Sequence, residues 1–227
     1  MAVEFTVVSI GTLSSNPLWN EPPGLRTPHA TTTLVADGDR RVLVDPSLPA
    51  AVVVSRLFER TGLKPEQITH VFCTTLRPTH RRGIEAFGSA RWLCHGPELE
   101  AYRTHLEGLA ESSERMAQDL AEPIAADREL LNRFAAAPEK ITPAAHLYPL
   151  PGPSAGGAGL LLAEVTRTIL IAGDAALTRG HVEAGRVWTG CADANAAIQS
   201  LQEIIGIADV IVCGHDNLML SPTRWLK

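Results

Sequence analysis

The side chains able to do chemistry in this chain include eight histidines and four cysteines. Cys73, Cys94, Cys191 and Cys213 lie far apart with no C-x-x-C pair, so neither a zinc ribbon nor a dense disulfide framework is indicated, and small buried hydrophobes are the reading. No G-x-S-x-G elbow occurs, which leaves Cys213, two residues before His215, as a remote candidate for metal-free nucleophilic catalysis. Taken alone, His80 at a helix start is a cap or a packed residue, Asp174 after an apolar strand is a turn cap, and His215 is a loop residue bonding backbone. Arg77, Arg81 and Arg82 form a basic cluster suited to an anionic ligand such as a carboxylate or phosphate, with a solvated helix face as the simpler account of Arg81 and Arg82. His29 ends a long Pro-rich loop directly before a strand, from where its side chain could reach a site. His70, His95, His105, His146 and His181 read as surface or core residues, and Trp19 as a cover for the core.

These groups hang on two β-rich blocks separated by a helical stretch. The first block holds a strand at 5–10, a loop from Asn16 to Pro28, and two strands over 31–36 and 41–45 joined by Asp37-Gly38-Asp39. A helix over 50–60 follows, closed by Gly62, and then a strand at 69–74. The spacing predicts a helix start at 83–87, a strand at 90–94 and a largely helical region from Glu98 to Ala137, interrupted at Pro123. That region is expected to cover the site or to pack against a second subunit of a homo-oligomer. The second block has strands around 146–148, 159–164 and 168–172. A helix then carries Ala194, Ala197, Ile198, Leu201 and Ile205 on one face, and a buried strand closes the block at 209–213.

The hydrophobic fraction of 45% suits one globular domain over residues 1–227. A net charge of -5 and pI near 5.9 provide no electrostatic footprint for nucleic acid. The first residues lack a basic stretch followed by an apolar run, and no run of about 18 uncharged apolar residues occurs, so the expectation is a cytoplasmic protein without a membrane segment.

Four local patterns in order resemble metallo-β-lactamase-fold hydrolases over roughly Thr31 to Asn217. They are the strand ending Leu43-Val44-Asp45-Pro46; the segment Thr74-Thr75-Leu76-Arg77-Pro78-Thr79-His80 followed by Gly83; the loop Pro149-Leu150-Pro151-Gly152-Pro153; and Ala172-Gly173-Asp174 with Gly214-His215. The resemblance implies an α/β fold, a four-layer αββα sandwich. It also implies two metal sites, whose ligand positions here hold Thr75, Arg77 and Pro153 for the first and Thr79, His80 and His215 for the second, with Asp174 bridging. On this count the first site has lost its three histidines and a normal dinuclear centre is rejected. His80, Asp174 and His215 remain as a two-His, one-carboxylate set able to hold one zinc, iron or manganese ion, or none. Arg77 is expected within salt-bridge distance of Asp174, supplying the charge a metal would have supplied. Two functions stand open: a catalytically impaired or non-catalytic binder of a small ligand, anionic or neutral, with Arg77 in the metal's role, and a mononuclear hydrolase of an ester, lactone, thioester or phosphoester.

Overall fold

The computed structural model describes residues 3–113 and 121–224. Its framework follows from runs in which neighbouring apolar residues face opposite ways. In β3 (Arg40–Val44) Val42 and Val44 face one core while Leu43 faces another. β9 (Thr168–Gly173) divides likewise between Ile169, Ile171 and Leu170, Ala172, and β10 (Val210–Cys213) between Val210, Val212 and Ile211, Cys213. Strands apolar on both faces must be covered on both, which requires layers on either side.

Two sheets result. The first has the order β1 (Glu4–Ser9), β2 (Thr32–Asp37), β3, β4 (His70–Cys73), β5 (Arg91–Cys94), β6 (Phe134–Ala136), antiparallel up to β3 and parallel beyond it. The second runs β11 (Leu218–Leu220), β10, β9, β8 (Ala158–Ala163), β7 (Ala145–Pro149), with only the β9–β10 pair parallel. The sheets face each other across Val44, Phe72, Leu160 and Ile171. Outside the first pack α1 (Ala50–Thr61), α3 (Gly96–Ser113) and α4 (Ala121–Leu131), through Leu57, Leu99, Leu106 and Leu131; outside the second packs α6 (Ala194–Ile207), through Leu201 and Ile204. This is the expected four-layer αββα sandwich. Short α2 (Pro78–Arg81) and α5 (Arg179–Glu183) lie on loops at its edge.

One expectation needs correction. The region read as helical through Ala137 ends at Leu131, and Phe134–Ala136 instead pairs with β5, because Phe134 buries its ring 5.6 Å from Trp92. Pro123 belongs to α4, and the interruption expected there turns on residues 114–120, which lie outside the described residues. Among the described residues no helix is long and apolar enough to cross a membrane.

Candidate metal centre

Parallel neighbours carry their carboxyl ends to the same edge of a sheet, and loops there are the usual place for ligands. Asp45, Thr74, Asp174 and His215 each follow such an end, those of β3, β4, β9 and β10. Close approach is built into the backbone. Gly173 has φ 54, and a Cβ there would lie 2.5 Å from Thr74 Oγ1, while one on Gly214 would meet the Gly173 carbonyl oxygen at 2.6 Å. Only glycine serves at either position. Asp45 is one of two non-glycine residues among those described with positive φ, at 49°. Its carboxylate thereby receives the Thr74 N–H at 2.9 Å and the Thr74 hydroxyl at 2.7 Å.

Three side chains converge on one point. His80 Nε2 lies 3.2 Å and His215 Nε2 3.1 Å from Asp174 Oδ1, and the two rings meet edge to face at 5.5 Å. The remaining ring nitrogens are oriented from behind. His80 Nδ1 donates to Asp45 Oδ2 at 3.0 Å, with Thr74 Oγ1 at 3.2 Å, and His215 Nδ1 donates to the His29 carbonyl at 2.9 Å and the Thr12 carbonyl at 3.1 Å. Carbonyl oxygens cannot donate, so the Nδ1 proton of His215 is fixed and its Nε2 presents a lone pair unless the ring is doubly protonated. Acceptors of both imidazoles thus turn toward one carboxylate oxygen, an arrangement that calls for a proton or a cation between them.

Ligand atoms of His80, Asp174 and His215 all lie within 4.8 Å of one another, and all three residues are buried. Two imidazoles held by a carboxylate and by carbonyls, plus one carboxylate, make the donor set of a three-ligand zinc or iron site, so the residues fit a single ion. Without an ion, protons take that place. Burial disfavours the His80 imidazolium, but Asp174 and Asp45 on its two sides push its pKa up to about 10. Burial would raise the Asp174 carboxyl, yet His80 and the hydrogen bonds from His215 and His80 hold it well below the ordinary carboxylate range.

The other oxygen of Asp174 belongs to Arg77. Arg77 Nη1 donates to Asp174 Oδ2 at 2.7 Å, Nη2 donates to the Pro153 carbonyl, and the guanidinium stacks 4.3 Å from the Trp188 ring centroid. Pro153 therefore contributes an oxygen after all, from its backbone. Thr75 turns away from Asp174: its hydroxyl donates to Glu98 Oε1 at 2.6 Å, and the same carboxylate takes the N–H groups of Leu76 at 3.1 Å and Gly156 at 3.0 Å. Glu98 and Trp188 escaped the sequence reading; the one available signal for Glu98 was an acidic residue in the first turn of a helix beginning Gly96-Pro97. A cavity of about 460 Å³ opens over the cluster, lined by Arg77, Thr79, Asp174, His215, Leu177 and Trp188 among others.

Several sequence expectations are corrected here. The His29 ring bonds the Ile10 and Thr27 carbonyls instead of entering the site; its own carbonyl is what orients His215. Arg81 is not a solvated residue. It is buried at 6% exposure against Asp127 at 2.7 Å, the Tyr102 hydroxyl at 3.0 Å and the Leu76 carbonyl at 2.6 Å, tying α2 to the α3–α4 pair, while Arg82 is exposed. Trp19 covers no core, being 67% exposed. Cys213 is 1% exposed and burial raises its thiol far above the ordinary range, which removes it as a nucleophile.

No curated protein sequence matches the chain. Among solved structures, a Thermotoga maritima protein described as a metallo-beta-lactamase superimposes with TM-score 0.71 at 18% identity, over 97% of this chain and 100% of its own. AidC, a dizinc quorum-quenching lactonase, matches with TM-score 0.67 at 14% identity over 84% of this chain and 74% of its own. A variant of AiiA from B. thuringiensis, with N-decanoyl-L-homoserine bound at its active site, matches with TM-score 0.64 at 19% identity, covering 95% and 94%. These likenesses concern the fold. In sequence, residues 26–215 match the family model of the metallo-beta-lactamase superfamily, and the chain belongs to that superfamily.

Proposed function

We propose that the protein is a hydrolase of this superfamily working with one metal ion on His80, Asp174 and His215, and with Arg77 in place of a second cation. One observation carries the reading: Asp174 divides its oxygens, Oδ1 to the two imidazoles at 3.2 and 3.1 Å and Oδ2 to a guanidinium at 2.7 Å. A carboxylate that bridges two metals in the family here bridges an ion-competent cluster and a fixed charge. When bound, zinc, iron or manganese would supply Lewis acidity and lower the pKa of a water. Arg77, stacked on Trp188, offers a permanent cation to an anionic group of the bound ligand. A lactonase among the structural neighbours, and another neighbour with N-decanoyl-L-homoserine at its active site, favour a small acyl substrate, an ester, lactone or thioester, over a phosphoester. We place the protein in the cytoplasm, where four free cysteines stay reduced.

Elemental analysis of protein purified without chelator tests the reading. Near-stoichiometric zinc, iron or manganese is expected, lost in His80→Ala and His215→Ala together with hydrolysis of an ester and lactone panel. A second reading, a metal-free ligand binder, is favoured by His80 standing between Asp45 and Asp174, since an imidazolium there neutralises the cluster without an ion. Protein that stays free of metal after supplementation with all three ions would select it.

A further inference from the structure

Arg77 is the sole lysine or arginine among the residues lining the 460 Å³ cavity, and Asp174 is the sole carboxylate. Both oxygens of that carboxylate are already committed, to Arg77 on one side and to the histidines on the other. Arg77 is not committed to the same degree. A guanidinium has five N–H donors, of which Arg77 spends one on Asp174 and one on the Pro153 carbonyl, while its side chain is 26% exposed to the cavity. Its mount is rigid: two hydrogen bonds fix the plane and Trp188 covers one face. An incoming anion therefore meets a pre-aimed cation with spare donors and no free carboxylate to repel it. The remaining walls include Leu13, Pro17, Pro28, Leu177 and the Trp188 ring, which accept an apolar body and give no second anchor for charge.

We propose that the cavity takes a compact monoanion with an apolar body, and that Arg77 receives its carboxylate through the N–H donors not used by Asp174 and Pro153. A planar fork meeting a planar carboxylate can make two parallel hydrogen bonds, which sets orientation as well as affinity. For the hydrolase reading, on which this rests only in taking the cavity as the substrate site, the substrate is then an ester, lactone or thioester that also carries a free carboxylate. Arg77 would discriminate such acids from their neutral analogues.

The test uses benzoate and its neutral counterpart benzamide on chelator-treated protein, by calorimetric titration and by the arginine Nε–H signals in 15N spectra. Benzoate is expected to bind wild type about tenfold tighter than benzamide, a difference of about 1.4 kcal/mol. It should weaken with added salt and shift the one Nε–H signal that Arg77→Lys removes. Arg77→Met should lose the preference and Arg77→Lys keep part of it. Equal affinity for the two probes, a benzoate affinity unchanged in Arg77→Met, or benzoate binding that appears only after metal loading would overturn the proposal. Should Arg77→Met not fold, the wild-type probe comparison and the Nε–H shift decide alone. Metal content, measured separately, bears on the hydrolase reading and leaves this one standing.

Discussion

Glu98 offers the sharpest test of how the site is held. Its carboxylate is 3% exposed and accepts from the Thr75 hydroxyl, the Leu76 N–H and the Gly156 N–H at 2.6, 3.1 and 3.0 Å. It thereby joins the loop before α2, which carries Arg77 and leads into the helix that holds His80, to the loop whose Pro153 carbonyl receives Arg77. Glu98→Ala leaves three buried donors without a partner. At about 1–3 kcal/mol for each buried polar group left unsatisfied, and allowing for water entering the space, the loss should be about 3–5 kcal/mol. For a chain of this size that corresponds to a fall in melting temperature of roughly 10 °C. Glu98→Gln keeps shape and packing and one carbonyl oxygen for Thr75 and Leu76, but turns an NH2 group toward the Gly156 N–H, so about 1–2 kcal/mol is expected. Calorimetric melts and urea titrations on chelator-treated protein measure both. A Glu98→Ala variant within 1 kcal/mol of wild type, or a Glu98→Gln variant as damaged as Glu98→Ala, would refute the clamp.

Two further outcomes follow from the charges. Arg77→Ala removes a charged hydrogen bond to a buried carboxylate and a stacked cation, so ion-free protein should lose about 1–3 kcal/mol. The same change removes a positive charge beside the metal position, so zinc should bind more tightly, and a variant unchanged in both respects would refute the pairing. In ion-free protein the folded pKa of His80, about 10, lies above the ordinary histidine value. Its stabilisation is therefore fully present below about pH 6.5 and is lost as pH rises through about 10. The stability of wild type minus that of His80→Gln, followed by urea titration, should fall across this window and lose its slope once the ion is bound. A flat difference in ion-free protein counts against the imidazolium.

Much of the fold was legible because β3, β9 and β10 announce two-sided burial within four to six residues each, and because Gly62 marks the end of α1 with its left-handed backbone. The frame around Thr74 to His80, Gly173-Asp174 and Gly214-His215 was legible too, since residue types at strand ends and the glycines beside them are local properties. β6 and β11, three residues each, carry too few residues to show a period, and their pairing is decided by the strand already beside them. Glu98, Trp188 and the burial of Arg81 were not legible for a different reason. Arg77 and Asp174 are 97 residues apart in the chain, and Glu98 meets Gly156 across 58. Local sequence reports which face of an element is buried and which backbone turns are allowed, both being short-range effects. Which oxygen of Asp174 receives Arg77, and that the His29 carbonyl rather than its ring orients His215, depend on how two sheets close against each other. That closure is settled by the packing of the whole core.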